Sequence, residues 1–215
     1  MVRKTLFFCG FAMVLVLSSC RLSVNRSIEI DDGTTVRNGL VTVNGDIEIG
    51  EDCDVRGDCK TVNGSIQVGS GSRVRDLQTV NGGLDIETDV IIRGDIGSVN
   101  GPVDGESGVD IRGDISTVNG TISLDSTRVR EIRTYNGDIT LSNGSLVQGD
   151  VIIRRSRGHD HREHSILIEV TGRSRIEGDV VVEDRDVQVE VALSDGGVVE
   201  GEIINAEVTR EDENP

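Results

Sequence analysis

The sequence predicts an all-β, single-domain parallel β-helix, a solenoid of about eight to nine rungs of roughly 19 residues each. Three observations carry that expectation. The tripeptide Val-Asn-Gly recurs at 43–45, 62–64, 80–82, 99–101 and 118–120, and Tyr135-Asn136-Gly137 continues the series. Behind most copies runs a short stretch in which aliphatic and polar residues alternate. Large rings are nearly absent: aromatics make up 2% of the chain, Phe7, Phe8 and Phe11 lie at its start, and Tyr135 is the only ring after them. A globular core usually draws on rings that each bury roughly 150–250 Å². A chain that relies on Val, Ile and Leu, with 27 Gly and 2 Pro, suits thin stacked β layers instead.

In chain order the first element is a targeting segment, residues 1–19. Arg3 and Lys4 form a positive start, and Leu6 to Leu17 is apolar. That run falls short of the roughly 20 residues a membrane-spanning helix needs and fits the apolar part of an export signal. It ends in Leu17-Ser18-Ser19-Cys20, which resembles the bacterial lipobox. The resemblance implies that the Cys20 thiol carries diacylglycerol and becomes the mature N-terminus, a lipid anchor in the cell envelope. Arg21, rather than Asp, after that Cys favours the outer membrane if the source is Gram-negative.

The solenoid is expected over 20–207. Its most regular column is Asn44, Asn63, Asn81, Asn100, Asn119 and Asn136, at steps of 19, 18, 19, 19 and 17, with Asn25 one step earlier in a copy that has Arg26 in place of Gly. Asn is expected at a corner, where it tolerates left-handed backbone and its amide can bond from rung to rung. Gly follows because such corners often need positive φ. Next comes an alternating strand such as Ile47-Glu48-Ile49 or Leu84-Asp85-Ile86, then a second short strand such as Cys53-Asp54-Val55, then a Gly-Asp corner. An aliphatic or Cys opens the next rung: Leu40, Cys59, Leu77, Ile96, Ile115, Ile132, Val151. One rung cannot bury its aliphatics or pair its backbone. Rungs stacked about 4.8 Å apart do both. After Asp150 the next intervals lengthen to about 29 and 23 residues, with an extruded polar loop expected at 154–165. A charged tail is expected at 208–215, where an atypical end would stop edge-to-edge growth.

These motifs resemble the bacterial β-solenoid proteins described as adhesin-like or as polymer-forming and bactofilin-like. The resemblance rests on Val-Asn-Gly-Asp-Ile at 43–47, Tyr-Asn-Gly-Asp-Ile at 135–139 and Ile-Glu-Gly-Asp-Val at 176–180, and covers roughly residues 22–205. It implies a right-handed parallel β-helix and brings no catalytic residues. Bactofilins are typically cytosolic filament formers, so an exported, lipidated N-terminus departs from that pattern.

The net charge of −16 and the lack of rings argue against nucleic-acid binding, which needs attraction to phosphate and a stacking surface. Membrane attachment is expected through the lipid alone. Acids stand before most rung-opening residues, at Asp58, Asp76, Asp95, Asp114, Glu131, Asp150, Asp179 and Glu202. Like charges about 5 Å apart repel by roughly 0.8 kcal/mol in water, so neighbouring Arg37, Arg56, Arg75, Arg93, Arg112 and Arg130 are expected to compensate. A calcium site would need six to eight oxygens, more than one column supplies. Arg-Gly-Asp at 56–58, 93–95 and 112–114 matches an integrin-binding motif by letters, but the repeat explains it.

His159, His161 and His164 are weak Zn²⁺ or Cu²⁺ candidates amid Arg154, Arg155, Arg157 and Arg162; no metal and no cofactor is expected. Cys53 and Cys59 occupy apolar positions. They could close a disulfide in an oxidising compartment or remain buried thiols. Polar residues are repeated rather than concentrated, so no enzyme is expected. The reading is a non-catalytic envelope lipoprotein presenting a rigid acidic solenoid for structural or adhesin-like roles, with a protein or envelope polymer as partner. The alternatives are a self-assembling bactofilin-like scaffold and, less favoured, a carbohydrate-active β-helix enzyme. The sequence leaves the oligomeric state open.

Overall fold

Each repeat carries three short extended runs, and three runs with three corners make a rung with three faces. The computed structural model describes residues 21–154, 165–184 and 186–211. These form an all-β solenoid of about nine turns, without a helix among the described residues. In a representative turn Leu40–Asn44 lies on the first face, Ile47–Ile49 on the second and Asp54–Val55 on the third, and Cys59–Asn63 returns to the first.

Ten second-face strands, from Ile28–Ile30 to Glu207–Arg210, form one parallel sheet. The other two faces merge into a 17-stranded sheet. They merge because Asp110–Asn119 and Arg128–Thr134 run from the third face into the first without a break.

The repeat lengths map onto the register. Asn44 pairs with Asn63, Asn63 with Asn81, Asn81 with Asn100 and Asn100 with Asn119, and an isolated bridge joins Asn119 to Asn136. The shorter steps have a local cause. Val55-Arg56-Gly57-Asp58 becomes Val74-Arg75-Asp76 one turn on, and Ile111-Arg112-Gly113-Asp114 becomes Val129-Arg130-Glu131, so the corner Gly is dropped each time; the step of 17 loses one residue more where Glu106-Ser107-Gly108-Val109 shortens to Asp125-Ser126-Thr127. The second loss appears as a register shift between Ile111 and Asp114. The longer intervals also hold, since Val151 pairs with Val180 and Val180 with Ile203.

Alternation puts one side of each strand inside, as in Ile47 and Ile49 buried around exposed Glu48. The resulting core is one continuous cluster from Ile28 to Leu193, built from Ile, Val and Leu with the two cysteines.

The structure corrects the expected role of the Asn-Gly corner. Among the repeated asparagines only Asn25, with φ 57°, is left-handed. The left-handed residue sits instead at the turn between the second and third faces, at Gly33, Asp52, Gly71, Asp89, Gly108 and Ser126. Left-handed backbone selects Gly or short polar residues at that turn. The glycine after Asn has positive φ only at Gly82, 155°, and Gly137, 135°, and along the whole column it serves close approach. A Cβ on Gly64 would collide with the Gly45 carbonyl oxygen, one on Gly101 with that of Gly82, and one on Gly120 with that of Gly101. Arg26 is tolerated because it belongs to the first turn, which has no described corner beneath it.

The solenoid also runs past its expected limit of 207. Glu207–Arg210 pairs with the strand Gln188–Leu193, so the expected tail begins as a strand. Residues 1–20, with Cys20 and the export signal, lie outside the described residues. So do 155–164, with His159, His161 and His164, and 212–215.

Candidate interaction surface

The repeated Asn residues form a hydrogen-bonded ladder along the corner between the first and second faces. Asn44 Nδ2 donates to Asn25 Oδ1 at 2.6 Å, Asn63 to Asn44 at 2.7 Å, Asn81 to Asn63 at 2.8 Å, Asn100 to Asn81 at 2.9 Å, Asn119 to Asn100 at 3.0 Å and Asn136 to Asn119 at 3.3 Å. All seven side chains are exposed. An amide carries both donor and acceptor, so each Asn can donate to the turn before it and accept from the turn after it.

A second column escaped sequence reasoning. From Asn44 onward the residue two before Asn is Thr or Ser and is buried: Thr42, Thr61, Thr79, Ser98, Thr117 and Thr134. Thr42 Oγ1 donates to the Arg26 carbonyl, Thr61 to that of Gly45, and Thr79 to that of Gly64. These hydroxyls satisfy the corner carbonyls that the Asn-Gly bend turns inward. The signal was present in the letters, because the repeat is Thr-Val-Asn-Gly and not Val-Asn-Gly.

The acid column is also a ladder, and its compensation differs from expectation. The amide of Asp95 donates to Asp76 Oδ1, that of Asp114 to Asp95, that of Asp179 to Asp150 and that of Glu202 to Asp179. Arg56 and Arg93 turn instead to Asp54 on the third face, at 2.9 and 2.8 Å, and Arg112 to Asp110 at 3.3 Å. These two arginines hold the Asp54 carboxyl below the usual carboxylate range. Arg75 does reach the column, at Asp58. The Arg-Gly-Asp triplets are parts of this construction: at 94 and 113 the Gly lets the preceding turn's Asp side chain close in, and at 57 it faces the backbone of Asn38 and Gly39.

The densest charge cluster surrounds Asp114, which is 8% exposed. Arg130 Nε and Arg133 Nη1 each reach its carboxylate at 2.6 Å, and Arg133 also pairs with Glu131 at 2.7 Å. Burial alone would raise the Asp114 pKa. The two arginine hydrogen bonds outweigh it and lower the pKa.

Charge is segregated among the faces from Ile28 to Gly144, while the later second-face segments also carry Arg173 and Arg210. The second-face segments and their flanking turns in 28–33, 45–52, 64–71, 82–89, 101–108, 120–126 and 137–144 hold fourteen Asp and Glu and no Lys or Arg. An open groove of about 520 Å³ lies on this face, lined by Asp85, Asp104, Ser123 and Thr140 among others. It deepens at Gly105, which takes a core position held by Ile86 and Leu124 in the adjoining turns. Burial pushes the Asp104 carboxyl up, the Ser123 hydroxyl opposes this, and neighbouring Asp85 adds to the rise. The third face mixes Arg with Asp, and the first is nearly uncharged.

Cys53 and Cys59 are both buried thiols. Cys59 sits between Leu40 and Leu77 in the rung-opening column, and the Cys53 thiol donates to the Asp31 carbonyl at 3.2 Å. Of the two alternatives, the buried thiols are the arrangement present. No group of three His, Cys, Asp or Glu is placed to hold a metal among the described residues. Comparison with protein-family models, curated proteins and solved structures finds no match to this chain.

Proposed function

We propose that this protein is a non-catalytic envelope lipoprotein, anchored through Cys20, that presents its solenoid as a rigid adhesin-like surface for a cationic protein or envelope polymer. The observation that carries this reading is the charge segregation. A solenoid needs charge only for solubility, and interleaved signs, as on the third face, supply that. Fourteen carboxylates on this face, none in an ion pair with Lys or Arg among the described residues, repel one another even where amides of the next turn cap several of them, and a surface so charged suits a cationic partner. The strand Arg21–Ser23 belongs to the first turn, so an anchor at Cys20 would hold that end of the stack at the membrane, outer if the cell is Gram-negative.

The test is recovery of partners on lipidated protein at low salt, with Glu48→Lys and Asp85→Lys side by side. Specific capture that fades with salt and with either reversal supports the proposal. Capture no better than background, or unchanged by the reversals, removes it.

A second reading is the self-assembling scaffold. Its support is the C-terminal turn, where Val198, Ile204 and Val208 are 43%, 37% and 43% exposed on strands with open edges. Filaments that vanish on Val208→Lys would favour it over the first reading.

A further inference from the structure

We infer that Asn143 is a site of spontaneous covalent modification, where the backbone nitrogen of Gly144 closes on the side-chain amide, ammonia leaves and water opens the ring to aspartate or isoaspartate. The chain contains eight Asn-Gly pairs, the dipeptide most open to this reaction because glycine has no side chain to obstruct the approach. The fold leaves one of the eight unguarded.

The step needs water and nothing else. The Gly144 nitrogen loses its proton to solvent and bonds to Asn143 Cγ, and the Cγ–Nδ2 bond breaks to release ammonia. Water then opens the five-membered imide. Opening at Cγ gives aspartate, and opening at the main-chain carbonyl gives isoaspartate. The nitrogen must therefore be released from hydrogen bonding, and its peptide must be able to swing toward the side chain.

The Asn ladder meets neither condition. The N–H groups of Gly45, Gly64, Gly82, Gly101 and Gly120 donate to the carbonyls of Asn63, Asn81, Asn100, Asn119 and Asn136 one turn on, at 3.0 or 3.1 Å. Each of these glycines, and Gly137 with them, sits so close to a carbonyl of the turn before that no Cβ would fit, so its peptide cannot swing. At Asn38 the turn above closes over the Gly39 nitrogen, which a Cβ on Gly57 would strike.

The pair at 143–144 differs. Both residues are exposed, the Gly144 N–H makes no hydrogen bond among the described residues, and a Cβ on Gly144 would meet nothing within 4 Å. With φ of 53° and 85°, and with Ser145 N donating to the Ser142 carbonyl at 3.1 Å, this is a type I′ turn. In that left-handed conformation the Gly144 nitrogen points away from the Asn143 side chain. Turning over the central peptide alone gives a type II′ turn and keeps the closing hydrogen bond. It brings ψ of Asn143 to about −120°, which sets the nitrogen alongside Cβ and within reach of Cγ. Glycine at 144 permits the accompanying reversal of φ.

Two side-chain hydrogen bonds oppose the motion. Ser126 Oγ donates to the Asn143 carbonyl at 2.7 Å, and Asn143 Nδ2 donates to Asp125 Oδ2 at 2.9 Å. The type II′ state is strained for Asn, so conversion should run about tenfold to a hundredfold slower than in the unfolded chain. The product replaces the donor facing Asp125 with a carboxylate and adds one charge to the acidic second face. The inference does not depend on what that face binds.

The chain from Arg21 onward contains every core residue and every strand pairing described, so it holds the fold by itself. Held folded at pH 8, it should convert Asn143 to a mixture of aspartate and isoaspartate, read by peptide mapping with fragment-ion assignment. The other asparagines that precede glycine should stay amides. In 6 M guanidinium all eight should convert at similar rates. Ser126→Gly suits the positive φ of 47° at that position and removes the hydroxyl. It should speed conversion at Asn143 several-fold in the folded chain and leave the ladder unchanged. A folded chain in which Asn143 converts no faster than the ladder asparagines overturns the inference. So does conversion at Asn38 or Asn136 ahead of Asn143, or a Ser126→Gly rate equal to that of the wild type.

Discussion

Arg133 Nη1 donates to Asp114 Oδ2 at 2.6 Å from exactly one turn further along the stack, and Arg130 Nε takes the other carboxylate oxygen. Two neighbouring turns are thereby clamped where the chain drops its corner glycine and the register shifts. Asp114→Asn should lower stability by about 2 kcal/mol at neutral pH, because a nearly buried acceptor of two guanidinium groups is lost while both arginines keep some solvent. The Asp114 pKa is lowered on folding, so its stabilisation is present above the unfolded value near 3.8 and disappears as pH falls through the lower folded value. Denaturant midpoints should therefore differ between wild type and variant at pH 7 and converge toward pH 2. A gap of the same size at both pH values contradicts the ion-pair account.

Asp104 should behave in the opposite way. Its pKa is raised by burial in the second-face groove. Its contribution is favourable below the unfolded value and lost as pH rises through the folded one, so the ionised carboxylate opposes folding at neutral pH. Asp104→Asn should raise the melting temperature slightly at pH 7, by less than about 1 kcal/mol in stability, because the groove is open. The gain should vanish below pH 3.8. Thermal scans at pH 7 and pH 3 decide it.

The contrast between these two acids marks what can be read in the letters. The rung was legible because its signals repeat: the Asn column, the alternating strands and the rung-opening aliphatics all lie in the register the spacing implies. A repeat says which residues share a column but not which way a long side chain leans. Arg56 and Arg93 were therefore expected on the acid column yet reach across to Asp54. The reason for each glycine was also hidden, since positive φ and close approach select the same residue. Face-wide charge segregation was legible in principle, but only after three faces had been assigned, whereas the repeat alone shows two clear strands.

The two causes of glycine can be separated by substitution. Gly33 is left-handed, with φ 67°, and an added Cβ meets nothing within 4 Å. Gly33→Ala should cost about 1 kcal/mol, the ordinary left-handed penalty. At Gly101 an added Cβ runs into the carbonyl of Gly82, which is backbone held by the turns on either side. Gly101→Ala must push two turns apart and should cost at least about 3 kcal/mol. Urea denaturation of the two variants tests this, and equal effects would mean that the corner can relax.

The cysteines give a chemical test of the core. Cys53 is 1% and Cys59 0% exposed, and each fills a place in the stacked interior. A thiolate must form and meet the reagent before it reacts, and burial blocks both steps. Neither thiol should react with an aromatic disulfide reagent in the folded chain from Arg21, and both should react at once in 6 M guanidinium. Rapid reaction of either in the native state would show that the turns around 53–59 open on their own.

The Asn ladder has a direction, and that direction can be tested at Asn100. Its Nδ2 donates to Asn81 Oδ1 while its Oδ1 accepts from Asn119. Asn100→Ala removes both bonds at any pH and should cost about 1 kcal/mol, since the ladder is exposed and water replaces part of what is lost. Asn100→Asp keeps the acceptor facing Asn119 but sets a carboxylate oxygen against the Asn81 oxygen. When ionised it should be at least as damaging as Ala. When protonated it regains a donor, so folding raises its pKa, and stability returns as pH falls below the ordinary carboxylate value. The difference between the Asp and Ala variants, measured by denaturant midpoint at pH 7 and pH 3, should therefore grow in favour of Asp on acidification. A constant difference would mean that the amides are neighbours in space without being coupled as a chain.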